Sequence, residues 1–152
     1  MSTVISVEPY DQVVDDIRPL LVEHHAELAM FKNEIPLDPD YAAYEAGCAA
    51  GLLRIYTVRL GGALIGYAIF AVQPRHTHYA HRWAINDILW LHPAHRKFGI
   101  GTELCDFYEE DLRRGGPIVI HIETKEWAPE LAMLLRSRGY VNVGLSLAKR
   151  IA

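Results

Sequence analysis

The chain has 152 residues, 51% of them hydrophobic and 22% charged, which is the size and balance of one globular domain with a single core. A formal net charge of −4 argues against nucleic acid as a partner, and no apolar run approaches the roughly 18 residues needed to span a membrane. Two cysteines, Cys48 and Cys105, are too few for a disulfide framework and make no zinc pattern; with no basic, apolar leader at the N-terminus, a cytoplasmic location is expected.

Thr3 to Glu8 alternates Ile5 and Val7 against Val4 and Ser6 and reads as a first strand. Val13, Ile17, Leu20, Leu21, His24, Leu28 and Phe31 then keep helical spacing. Pro19 lies among them, so this helix is expected to kink or to begin its regular part near the proline. Ile35-Pro36-Leu37-Asp38-Pro39 is a break, and Asp38 as N-cap with Pro39 at the first helical position predicts a second helix ending near Gly51. Leu52 to Leu60 and Ala63 to Val72 are rich in β-branched and aromatic residues, and the Gly61-Gly62 pair between them predicts a hairpin. A polar, His-rich loop from Gln73 to Arg82 leads to a strand from Trp83 to Leu91. A helix from about Thr102 to Arg114 follows, carrying Leu104, Phe107, Tyr108 and Leu112 at three- and four-residue spacing and stopped by Gly115-Gly116-Pro117. Ile118 to Thr124 reads as a central strand. A helix from about Pro129 to Arg138, ended by Gly139, precedes two final strands, Tyr140 to Val143 and Leu145 to Ile151.

The turn between the Trp83 strand and the Thr102 helix carries most of the chemistry. Arg96 and Lys97 stand just ahead of a helix N-terminus, where the macrodipole disfavours cations and favours anions by about 0.3–1 kcal/mol each. An anionic ligand reverses that mismatch. Gly99 and Gly101 remove side chains that would hold a phosphate away from the backbone N–H groups of the turn. Two other phosphate loops fail on these residues: there is no Gly-Lys pair for a P-loop, and Leu104 stands where a dinucleotide fingerprint needs its third glycine.

The pattern that fits is R-x-x-G-x-G, Arg96 to Gly101, after a strand ending Leu91-His92-Pro93. Here the sequence resembles the GNAT family of acyl-CoA-dependent N-acyltransferases. Ile5 to Glu8, the segment Glu23-His24-His25-Ala26-Glu27-Leu28, the Gly61-Gly62 hairpin and the ending Leu134 to Tyr140 fall in GNAT order, so the resemblance covers nearly the whole chain. Within the family it looks most like small members encoded by phages and prophages. The resemblance implies an α+β fold in α/β/α layers, with about four helices around a mixed, mostly antiparallel sheet of six or seven strands.

It also implies acetyl-CoA as acyl donor, in the gap where the strand before the turn and the strand after the next helix splay apart. Carried over, Arg96 takes the first motif position and the N–H groups of Lys97, Phe98, Gly99, Ile100, Gly101 and Thr102 hold the pyrophosphate. Leu89 and Leu91 offer backbone groups to the pantetheine, and the Leu91 N–H polarises the thioester carbonyl. The acceptor amine must lose a proton, directly or through water, and Asp87 is the first candidate base, where many family members carry an acid; Asn86 is a helper. His78 and Tyr79, in the loop before that strand, and Glu23 and His24, on the first helix, are candidate acceptor contacts, with His78 also able to move a proton. Glu27 reads as part of a solvated helix face. The pattern His76, His78, His81 invites zinc, but no carboxylate or cysteine completes a usual set and no metal is expected.

One departure stands out. Many members protonate the leaving thiolate with a tyrosine in N-x-x-A-x-x-x-Y, and here Ala128 and Leu135 occupy those positions; Tyr108, His121 and Tyr140 are substitutes that read better as structural. The expected activity is acetyl transfer to an amine by direct attack in a ternary complex, the acceptor being a small molecule or a protein lysine. The alternative is a GNAT-fold module that binds CoA or a protein without catalysis. A homodimer is expected.

Overall fold

The computed structural model describes residues 2–152. Its elements are β1 (Thr3–Val7), α1 (Tyr10–Leu28), α2 (Tyr41–Ala49), β2 (Leu53–Leu60), β3 (Ala63–Gln73), β4 (Arg82–Leu91), α3 (Ile100–Arg113), β5 (Ile118–His121) and α4 (Pro129–Ser137), with a single 3-10 turn at Pro93–His95. The sheet order is β1-β2-β3-β4-β5, antiparallel throughout except for the parallel β4–β5 pair, so the sheet is mixed.

Each helix packs through the face its sequence makes apolar. Val13, Ile17 and Leu21 of α1, four residues apart, lie buried with Ile55, Tyr67, Ile69 and Trp90 on one side of the sheet. Leu104, Cys105, Tyr108 and Leu112 of α3 and Leu135 of α4 cover the other side against Tyr56, Val58, Ala68 and Phe70. The result is the expected α+β fold in α/β/α layers. Gly61 and Gly62 have φ of 58° and 87°, the two positive values a two-residue hairpin turn requires.

Several boundaries differ from the sequence reading, each for a local reason. Helix α1 runs from Tyr10 to Leu28 with Pro19 inside it, and Phe31 falls beyond its end at φ 55°. The cap of α2 is Asp40, whose carboxylate accepts the Ala43 N–H at 2.9 Å, so Asp38 and Pro39 stay in the preceding break. Helix α3 starts at Ile100, because Gly99 in the left-handed region turns the chain into it two residues early. Strand β5 stops at His121, where its pairing with β4 ends. The sheet has five strands instead of six or seven: residues 141–152 keep a strand-like pattern but make no backbone hydrogen bond with any described residue, and an unpaired strand is not a strand.

Candidate active site

Strand β4 is irregular at its middle. Ile69 of β3 faces Ile88 and Phe70 faces Asn86, so Asp87 is an extra, unpaired residue in a β-bulge. Asn86 closes the bulge: its side-chain amide donates to the carbonyls of Ile69 at 3.1 Å and Ile88 at 3.0 Å. Both amide protons are thereby used, and the helper role given to Asn86 becomes one of holding the backbone. The Asp87 carboxylate points toward α2 and accepts the Tyr44 hydroxyl. Burial, reinforced by that carboxylate, pushes the Tyr44 pKa up, so Tyr44 stays a donor at neutral pH.

The bulge lies where β4 loses its second neighbour. Pairing with β5 ends at Ile85 and His121, and β4 continues to Leu91 with an open flank. The His92 N–H donates to Ile65 of β3 at 2.8 Å. In an extended strand, successive N–H groups alternate sides, so those of Leu91 and Leu89 face the open flank.

Helix α1 and the end of β4 are joined by a polar chain. His24 stacks on Trp90 with centroids 5.8 Å apart, and its Nδ1 lies 2.9 Å from the Tyr67 hydroxyl. Burial holds the imidazole pKa down at about 4, so His24 is neutral near pH 7. The Trp90 indole N–H donates to Glu27 at 2.7 Å, and Arg96 forks onto the same carboxylate while its Nε donates to the Leu91 carbonyl at 2.8 Å. Glu27 is therefore no solvated residue; the Arg96 hydrogen bonds hold its pKa below the usual carboxylate value. The Arg96 side chain binds the protein itself, which leaves its backbone as its contribution to the turn.

In that turn Phe98 and Gly99 both adopt positive φ, 63° and 80°. A Cβ on Gly99 would meet nothing within 4 Å, whereas one on Gly101 would touch Leu134 of α4 at 3.4 Å. Gly99 is thus the conformational requirement, and Gly101 faces the neighbouring helix. The consecutive backbone N–H groups from Lys97 to Thr102 find no hydrogen-bond partner among the described residues. Such a row at the start of a 14-residue helix fits an anionic ligand such as a pyrophosphate.

A cavity of about 350 Å³ lies between the bulge, α1 and the segment after β5. Asn86, Asp87, Leu89 and His24 line it, as do His25, Met30, Leu37 and Lys125, which sequence reasoning did not single out. Adjacency to His24 is the signal that would have found His25; Met30, Leu37 and Lys125 reach the cavity only through the fold. Lys125 is paired with Glu123 at 3.1 Å. Three expected contacts lie elsewhere. Glu23 sits 3.3 Å from His92, and His78 and Tyr79 cluster with His76 and Trp83 at the far end of β4, with Tyr79 stacked 5.6 Å from Trp83. No group of three His, Cys, Asp or Glu among the described residues is placed to hold a metal.

Leu135, where a general acid is usual, is 4% exposed in the core. Tyr108 contacts Cys105 Sγ at 3.3 Å and Tyr140 donates to Glu109 at 3.1 Å, so both belong to the packing around α3; His121 is exposed at the end of β5.

Comparison with known proteins adds the family. A ribosomal-protein-alanine N-acetyltransferase from Brucella melitensis biovar Abortus 2308 superposes with a TM-score of 0.77 at 19% identity, covering 100% of this chain and 99% of its own. An aminoglycoside acetyltransferase from an uncultured soil metagenomic sample, solved with sisomicin, gives 0.76 at 12% identity over 99% and 97%. A predicted acetyltransferase from Clostridium acetobutylicum, solved with acetyl-CoA, gives 0.69 at 14% over 98% and 96%. No curated protein sequence matches. The bulged β4, its open flank and the unpartnered turn before α3 lie within residues 18–140, which match the profile of the Acetyltransferase (GNAT) family, and the chain belongs to that family.

Proposed function

We propose that the protein transfers the acetyl group of acetyl-CoA to a primary amine by direct attack in a ternary complex. The observation that carries this reading is the position of Asp87: an unpaired bulge residue puts a carboxylate on the cavity wall where β4 loses its β5 partner. Lys97 to Thr102 bind the pyrophosphate through backbone N–H groups, and Leu89 and Leu91 bind the pantetheine along the open flank of β4. Asp87 takes the proton of the acceptor ammonium, directly or through water. The amine nitrogen then bonds to the thioester carbon, the Leu91 N–H stabilises the charge that develops on its oxygen, the C–S bond breaks, and the second proton on nitrogen passes through water to the departing thiolate, giving the amide and CoA thiol. A thiol pKa near 8.5 makes this group leave without a dedicated acid, which agrees with leucine at position 135.

The cavity also supports an acceptor class. Lys125 and Glu123 neutralise one another, and His24 is neutral, so Asp87 is the uncompensated charge on a wall otherwise rich in Leu21, Leu28, Met30 and Leu37. That lining suits a monocation with an apolar body better than a polycation or a freely solvated lysine side chain.

The test is acetyl-CoA binding by calorimetry, with thiol release followed in the same sample against apolar monoamines, aminoglycosides, a lysine peptide and no amine. Binding with release dependent on the monoamine supports the reading. Binding without release for any amine supports a non-catalytic CoA-binding module, and absence of binding overturns the phosphate turn.

A further inference from the structure

A ring of hydrogen bonds closes around the end of β4. The Trp90 indole N–H donates to Glu27 Oε2 at 2.7 Å, and Arg96 donates from Nη1 to Glu27 Oε1 at 2.6 Å and from Nη2 to Oε2 at 2.7 Å. Arg96 Nε then donates to the Leu91 carbonyl at 2.8 Å, which completes the circuit. Trp90 is buried and stacked on His24, so its indole is fixed where it meets the carboxylate. The ring therefore holds β4 at two points, the Trp90 side chain and the Leu91 carbonyl. Between them lies the Trp90–Leu91 peptide, whose N–H faces the flank that β5 leaves open.

A strand inside a sheet has its peptide planes fixed by ladders on both sides. At Leu91 only β3 supplies one, because pairing with β5 has ended at Ile85. The N–H and C=O of an extended residue point to the same side, so the Leu91 carbonyl shares the open flank with its N–H. Arg96 occupies the carbonyl and leaves the N–H free, so at Leu91 the flank offers a hydrogen-bond donor alone. Packing does not require this arrangement: an apolar pair at positions 27 and 96 would also join α1 to the turn, but it would leave the Leu91 carbonyl without a donor and its plane without a brace. We propose, resting on the acetyl-transfer reading above, that Glu27 is a positioning residue which, through Arg96 and Trp90, sets the plane of the Trp90–Leu91 peptide and aims the Leu91 N–H at the oxygen of the bound thioester. A donor accelerates the reaction only where its hydrogen meets the developing charge, and a misplacement of about 1 Å costs about 10²-fold in rate.

Two conservative variants break the ring at different points. Glu27→Gln keeps an acceptor oxygen but loses the fork, and Arg96→Lys keeps a cation ahead of α3 but cannot hold Glu27 and Leu91 together. Isotope-edited infrared spectra of acetyl-CoA labelled at the acetyl carbonyl should show a lowered C=O stretch when it is bound to the parent, and a return toward the free frequency in both variants. At saturating acetyl-CoA kcat should fall by about 10–10²-fold, while calorimetry with CoA, which has no thioester oxygen, should give the parent's affinity. A pair that only braces the fold would lower Tm and leave the bound carbonyl frequency and kcat, measured well below Tm, at the parent's values; that result overturns the proposal, as does a loss of CoA affinity that accounts for the whole fall in kcat. The spectrum requires binding alone. A parent that lowers the stretch, with the shift lost in both variants, but releases no thiol to any amine keeps the aim of the Leu91 N–H and retracts the acetyl-transfer reading. A parent that transfers acetyl groups while both variants keep its carbonyl frequency does the reverse, and acetyl-CoA that does not bind at all removes both.

Discussion

The Arg96 guanidinium grips the Glu27 carboxylate through two hydrogen bonds, 2.6 and 2.7 Å long, and so ties the turn before α3 to the last turn of α1. Glu27→Ala leaves Arg96 and the buried Trp90 N–H without this acceptor. The expected cost is about 1–3 kcal/mol, or about 2–4 °C in Tm for each kcal/mol. Glu27→Gln, which keeps an acceptor oxygen, should lose less. Thermal unfolding of the two variants checks the order.

Asp87→Asn keeps the bulge and a group able to accept from Tyr44, but cannot take a proton. Turnover should fall ~10²-fold or more with acetyl-CoA affinity unchanged. Full activity in this variant would remove Asp87 as the base. Tyr44→Phe, which withdraws a donor and leaves the carboxylate, should change turnover much less.

His24 gives the stability a pH dependence of definite sign. The unfolded chain takes up a proton on this residue as pH falls through 6.5, while the folded protein resists until about 4. Its contribution is therefore complete above 6.5 and is lost progressively toward 4, by up to ~3 kcal/mol. Denaturation midpoints across this range should slope downward with acid, and His24→Phe, which keeps the stack on Trp90, should flatten the slope.

At Gly99 the backbone decides. Valine there would be forced to φ 80°, a strain of about 1–2 kcal/mol, and would reshape the turn. Calorimetry should show acetyl-CoA binding weakened by about tenfold or more in Gly99→Val, since 1.4 kcal/mol is a factor of ten. Gly101→Ala makes only an ordinary contact with Leu134 and should bind like the parent.

Features carried by local pattern were legible before the fold was known: the hairpin at Gly61-Gly62, the apolar stripe of α3, the turn from Arg96 to Gly101. Asp87 was legible as a carboxylate in a strand, but its unpaired state was not, because a bulge is a relation between two strands and only β3 reveals it. Glu27 was misread for the same reason. Its partners, Trp90 and Arg96, are more than sixty residues away, and a charge on a helix says nothing about what approaches it. His78 and Tyr79 were placed near the cavity by loop order alone; stacking with His76 and Trp83 holds them at the other end of β4.

The bulge at Asp87 also lets β4 carry an extra residue without moving any other side chain to the opposite layer. Ahead of it the even-numbered Ala84 packs with α3; after it the even-numbered Ile88 and Trp90 pack with α1, while Leu89 and Leu91 turn toward α3. One inserted residue has exchanged odd for even. Deleting Asp87 would join Asn86 directly to Ile88 opposite Phe70 and Ile69, a regular ladder that leaves Trp90 facing α1 and Leu91 facing α3. Removing the residue and removing its carboxylate are different experiments: the first straightens the strand and abolishes the unpaired position, and the second keeps the bulge and takes away only the charge.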